Sequence, residues 1–311
     1  MTVLKMLSKR LIGVIIVLIG VIALVFVMLR VIPGDPASVL LNEHVSQENI
    51  DRLTQSMGLD KSLPEQFVAY LGHAVRGDLG QSYFFKQPVT ALILEAFPYT
   101  LKLTLLSIIF AWTLGIISGV ISAMYNEKFL DYIFRPAALL GISVPVFIVA
   151  LFLQYLFYFR FSLLPLTYDT SLLSLIMPAI ALGWNSAGSV ARLMRSNLME
   201  QLSAPYMDTA LAKGLLYKKA VLVHALKNAA VPVISMMALQ LSGMLSGAVI
   251  TESIFSIPGL GKLALGAIQT RDMPLLQGTV IFTALLIAIG NIVADVLATI
   301  LNPKIRQESN R

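Results

Sequence analysis

Runs of about 20 mostly apolar residues recur along this chain, and a helix needs a run of that length to cross the hydrocarbon core of a bilayer. Six segments fit or nearly so, at about 11–31, 99–124, 133–158, 173–191, 230–251 and 278–301. The rest of the chain is short of charge. Of 311 residues, 57% are hydrophobic and 13% charged, whereas a soluble domain carries roughly 25% charged residues. That deficit is too large for a water-exposed surface, so lipid replaces water as the solvent for much of the chain. The expected fold is all-α, with six transmembrane helices.

The first run follows Lys5, Lys9 and Arg10 and ends at Pro33-Gly34-Asp35-Pro36. It is longer than a signal-peptide core and is followed by no small-x-small cleavage site, so it reads as a retained span. Basic residues set the orientation. The N-terminal tail is basic, as is the connection 192–229 with Arg192, Arg195, Lys213, Lys218, Lys219 and Lys227, and so is the tail with Lys304, Arg306 and Arg311. Segment 32–98 is richer in acids. Both termini are therefore expected in the cytoplasm, with 32–98 outside as a small helical insertion. Within it a helical stretch over 46–72 opens at Ser46, and Gly77-Asp78-Leu79-Gly80 reads as a turn.

Several chemistries are disfavoured. Cysteine is absent, and His44, His73 and His224 lie far apart with no ligand-like spacing, so no metal site is expected. The net charge of +6 falls in short blocks between apolar runs, as in a membrane protein and not as in a nucleic-acid binder. No G-x-x-x-x-G-K-[ST] phosphate loop is present, so the chain does not bind and hydrolyse ATP itself. No span pairs a hydroxyl with an activating base, which argues against an intramembrane enzyme. An ion-coupled secondary transporter would place ionisable groups at the midplane. Here Trp184 and Asn185 sit in the fourth span, and Asn291 and Asp295 near the end of the sixth. Pro145 is expected to kink the third span, and Pro178 the fourth. Gly243 and Gly247 form a small-xxx-small face on the fifth.

The informative stretch is 200–232, in which 203–214 marks a short helix followed by a basic amphipathic run to Pro232. Ser203 reads as an N-cap, Pro205 suits a first helical turn, and Gly214 suits the left-handed position that ends a helix. Such a helix is far too short to span, and it lies in the most basic loop. It makes a compact handle for a soluble partner. An interfacial helix held by lipid headgroups is the other reading, which composition leaves open.

The string Asp208-Thr209-Ala210-Leu211-Ala212-Lys213-Gly214 resembles the EAA-x3-G signature of permease subunits of ABC importers, with Asp for the leading Glu and Thr for the first Ala. Together with His224 through Pro232 it is similar to the form found in dipeptide, oligopeptide and nickel permeases. Further landmarks of that branch follow in order: Leu29–Pro36, Met57–Asp60, Gly77–Ser82, Gly141–Pro145, Ile250–Gly261, Arg271–Pro274 and Asn302–Arg306. Ile257 stands where the family often has Trp.

The resemblance implies a prokaryotic inner-membrane permease, non-enzymatic, working by alternating access on peptides, with glutathione or a nickel or metal-chelate complex as alternatives. It implies a second homologous permease, two ATP-binding subunits that hold the ATP and Mg, an extracytoplasmic solute-binding protein, and surrounding lipid. Tyr206, Asp208, Thr209, Ala210, Lys213 and Gly214 would form the coupling helix that docks on an ATP-binding subunit. Glu252, Pro258, Gly259 and Gly261 would lie at the external mouth. The chain divides accordingly into a tail and first helix (1–31), an external segment (32–98), a five-helix permease core (99–301) and a cytoplasmic tail (302–311).

Overall fold

The computed structural model describes residues 2–31 and 62–301. The expected helix start at Ser46 and the C-terminal tail lie outside them. Every regular element among the described residues is helical, and the one β-bridge, Gln81 with Pro88, closes a loop. The elements are α1 (Thr2–Val31), α2 (Leu63–Val75), α3 (Val89–Met124), α4 (Phe129–Ser143), α5 (Val146–Leu153), α6 (Ile176–Leu202), α7 (Pro205–Ala212), α8 (Tyr217–Ala220), α9 (Leu226–Gly247), α10 (Val249–Ile254), α11 (Leu260–Gln269) and α12 (Met273–Leu301). Wide π-turns extend α5 over Gln154–Arg160 and join α8 to α9 over Val221–Ala225.

Four stretches are long and apolar enough to cross a membrane: Val89–Met124, Leu173–Leu202, Tyr217–Leu245 and Met273–Ala294. A fifth crossing results if the bent pair Phe129–Ser143 and Val146–Arg160 is one span, and α1 carries a shorter apolar stretch, Ile12–Met28. Several helices differ in extent from their apolar runs. α3 begins at Val89, ahead of the run near residue 99, and passes through Pro98. α6 continues to Leu202, so Arg192 and Arg195 belong to a helix and not to the loop in which their charge places them.

The proline at the centre of the third run does more than kink it. Pro145 is extended, and the second half is bent by 112° from the direction of the first. The C-terminal carbonyls of α4 then need other donors. Asn185 supplies one, its Nδ2 donating to the Ile142 carbonyl at 3.0 Å. Pro178, by contrast, does not divide the fourth run, which continues as one span over Leu173–Leu202. It lies in the first turn of α6, where no intrahelical donor is lost.

The core is built on α3 against α6. Glycine permits the close approach: a Cβ added at Gly119 would lie 2.6 Å from the Ala191 carbonyl oxygen, and one at Gly188 2.6 Å from that of Ala138 on α4. Gly243 does not serve this purpose within the chain, since a Cβ there meets nothing within 4 Å. α2 rests against α1 through Phe67 and Phe26, whose rings meet edge to face at 5.3 Å. The Gly77–Gly80 turn is present, with both glycines left-handed at φ 79° and 83°.

Candidate coupling helix and external loop

α7 follows directly from α6. Ala204 precedes Pro205, and the proline ring forces it into an extended conformation (φ −77°, ψ 143°), which ends α6 and makes Ala204 the N-cap of α7. Ser203 is therefore not the N-cap that its residue type suggests. It closes α6 instead, its hydroxyl donating to the Glu200 carbonyl at 3.0 Å. The far end is a Schellman motif. Gly214 N–H donates to Leu211 O at 2.9 Å and Leu215 N–H to Ala210 O at 3.2 Å, with Gly214 at φ 83°. The eight-residue helix is thus stopped on both sides by backbone geometry.

Its faces divide cleanly. Met207 and Ala210 are buried in a cluster with Leu198, Ala220, Val221 and Ala123, and Tyr206 packs partly against them. The Tyr206 hydroxyl donates to Gln201 Oε1 at 2.9 Å, tying α7 to the last turn of α6. Asp208, Thr209, Leu211, Ala212, Lys213 and Gly214 face outward. Asp208 lies in the first turn, where the helix dipole favours an acid. Of the six residues expected to form the coupling surface, Asp208, Thr209, Lys213 and Gly214 are exposed, Tyr206 is half-buried, and Ala210 packs inward.

The base of α7 is braced by a charge cluster that sequence reasoning missed. Arg195 Nε donates to Asp131 Oδ1 and Nη2 to Oδ2, both at 2.9 Å, and Nη2 also reaches Asn126 Oδ1 at 2.8 Å. Ser122 donates to the same carboxylate. α3, α4 and α6 are thereby held together nearly three turns before α7 begins.

The loop between α10 and α11 is held from within. Glu252 is fully buried. Its Oε1 accepts from the Thr100 hydroxyl at 2.6 Å and its Oε2 from Lys262 N–H at 3.0 Å, while Thr100 Oγ1 accepts from Leu260 N–H at 2.8 Å. Gly259 is buried against that carboxylate, where a Cβ would lie 2.3 Å from Oε1. Gly261 is half-buried, and Pro258 alone of the four expected mouth residues is exposed. Asp272 acts similarly next door, accepting from Ser82 and, at 3.0 Å, from Phe84 N–H, while capping the start of α12 through Leu275 N–H. Nothing local marks Thr100, whose partner is 152 residues away.

Thr100 and Ala123 lie toward opposite ends of α3, the first with the Glu252 loop and the second with α7. At 1.5 Å per residue they are roughly 35 Å apart along the helix, about the thickness of a hydrocarbon core. Among the described residues no group of three or more His, Asp or Glu is placed to hold a metal ion.

Comparison with known proteins bears on this arrangement. Residues 115–307 match the family described as binding-protein-dependent transport system inner membrane component, and residues 3–104 match its N-terminal companion. The chain is 37% identical over 298 residues to the glutathione transport system permease protein GsiC of Shigella flexneri serotype 5b, covering 96% of this chain and 97% of that one. It is 36% identical over the same length, with the same coverage, to the GsiC of Pectobacterium atrosepticum. In fold it is similar to a chain of the inward-facing MetNI methionine ABC transporter, with a TM-score of 0.54 at 14% identity, covering 68% of this chain and 96% of that chain.

Proposed function

Because this chain belongs to the family of binding-protein-dependent transport system inner membrane components, we propose that it passes small peptides, glutathione among them, across the membrane as one of two related permease subunits. It is a multi-pass inner-membrane ABC importer permease and not an enzyme. The choice of substrate class is supported by relatives that carry glutathione transport in their names.

One observation carries the mechanism: an eight-residue helix, buried on one side by Met207 and Ala210 and exposed on the other, joins the ends of two spans. α7 is the coupling helix, docked in a groove of an ATP-binding subunit by Asp208, Thr209, Lys213 and Gly214, with Tyr206 and Ala210 anchoring it to the bundle. Two such subunits bind ATP and Mg, close together, and move α7; α6 and α9 follow, and the path opens outward to take solute from an external binding protein. Hydrolysis resets it. The partners bias the bundle only through different contacts in its two states. At the other end of α3, the loop with exposed Pro258 meets the binding protein, and Glu252, Gly259 and Gly261 keep its shape. Both termini lie in the cytoplasm.

Gly214→Val forces a β-branched residue into a left-handed conformation, and Asp208→Lys with Lys213→Glu inverts the exposed charge. Each is expected to lower co-purification of the ATP-binding subunit or to reduce solute-stimulated ATPase at least several-fold. Normal assembly and stimulation in both would remove the coupling role from α7. Uptake competition among labelled dipeptide, oligopeptide, glutathione and nickel, in a strain lacking the chain, tests the substrate class. Restoration of nickel uptake alone would overturn the peptide reading.

A further inference from the structure

A cleft of about 610 Å³ lies between α3, α4 and α6, and its lining includes three arginines, Arg135, Arg192 and Arg195. Arg195 is neutralised by Asp131. Arg135 and Arg192 are exposed and have no ion-pair or hydrogen-bond partner among the described residues. A second cleft of about 200 Å³ shares Ser118, Phe134, Ala138 and Ala191 with the first and continues past Leu114 to Trp184. The joined groove is thus basic at one end and apolar at the other. Arg192 and Trp184 are separated by roughly 12 Å along α6.

The surroundings state what solvent the groove meets. On α4 the side chains flanking Arg135 are apolar or aromatic and exposed: Phe129 (75%), Tyr132 (69%), Ile133 (47%), Leu139 (58%) and Leu140 (58%). No part of the described chain covers them. In a membrane protein such a surface meets hydrocarbon or a neighbouring subunit, and an unpaired guanidinium beside it reaches headgroup water or pairs with an anion. Guanidinium pairs bind phosphate through planar, forked donors. An inorganic anion would satisfy the arginines but would leave the apolar extension toward Trp184 without an occupant.

We propose that this groove binds one anionic phospholipid, with its phosphate between Arg135 and Arg192 and an acyl chain along Phe134 toward Trp184. The lipid fills the gap between α4 and α6 beside the Asp131–Arg195 brace, so bilayer composition acts on the helix that leads into α7.

The two tryptophans make this measurable. Trp112→Phe leaves Trp184 as this chain's reporter in the transporter purified with its partner subunits, and subtracting the signal of the Trp112→Phe/Trp184→Phe variant removes the partners' tryptophans. Phosphatidylglycerol with brominated chains is expected to quench Trp184 at a mole fraction on the order of tenfold lower than brominated phosphatidylcholine. Arg135→Gln with Arg192→Gln is expected to abolish that preference, and the double Arg→Lys variant to keep most of it. Equal quenching by the two lipids overturns the proposal, as does a preference that survives the Gln pair. Inorganic phosphate abolishing the preference at matched ionic strength identifies a free-anion site and overturns it too. Absence of quenching by either lipid shows the groove covered by another subunit, with the same consequence. If the Gln pair does not assemble, the comparison of lipids in the Trp112→Phe parent and the Lys pair decides.

Discussion

Asp131, Glu252 and Asp272 are the acids buried among the described residues, and each ties an element to a distant one. Asp131 carries a charge that Arg195 compensates through two hydrogen bonds. Removing Arg195 leaves a buried carboxylate unpaired, a change that costs about 3–5 kcal/mol in comparable sites. Arg195→Ala is therefore expected to lower the thermal unfolding midpoint of the purified transporter sharply, and Asp131→Ala in the same chain to restore part of the loss. If the single and double variants unfold alike, the pair is not the brace described. Glu252 bonds the Thr100 hydroxyl and Lys262 N–H. Glu252→Ala leaves those donors unsatisfied at about 1–3 kcal/mol each, and Gly259→Ala drives a methyl group into the same carboxylate. Both are expected to destabilise the loop, read as faster proteolysis between α10 and α11. The acids stand out in the sequence as polar residues beside apolar runs. Their partners do not, because no local pattern encodes a contact between residues 64 or 152 positions apart.

Elements were legible where a local rule suffices. Pro205 and Gly214 bound α7 because one fixes φ and the other relieves a steric clash, and neither needs a tertiary partner. Ser203 misleads because the same residue type serves either end of a turn, and Pro205 shifts the boundary by one residue. The size of the break at Pro145 is likewise beyond its sequence. A proline removes one donor, but the 112° turn is held by packing and by Asn185 on another helix. Within this chain Gly119 makes a close helix approach and Gly243 does not. Gly119→Val is expected to disrupt docking of α3 on α6, costing about 1–3 kcal/mol or more by overpacking, whereas Gly243→Val leaves this chain's own fold intact. Limited proteolysis of the two variants in detergent separates them, and equal sensitivity would count against a close α3–α6 contact at Gly119.

The whole molecule is a bundle whose two candidate contact surfaces lie at opposite ends of α3. The native chain contains no cysteine, so a single introduced thiol reports its own side of the membrane. A membrane-impermeant maleimide applied to intact spheroplasts is expected to label Pro258→Cys and to spare Thr209→Cys, and inverted vesicles stripped of the ATP-binding subunits to give the reverse. Labelling of both from one side would contradict the proposed orientation. The sequence by itself determined the solvent, the helical class and the position of α7, because hydropathy, span length and backbone sterics act over one or a few turns. Only the tertiary structure decided which small residues touch, where the buried acids find donors, how far the third run bends, and that two unpaired arginines open onto an apolar groove. Those facts depend on which distant surfaces meet, and packing shape and hydrogen-bond partners are properties of the meeting and not of either strand of sequence alone.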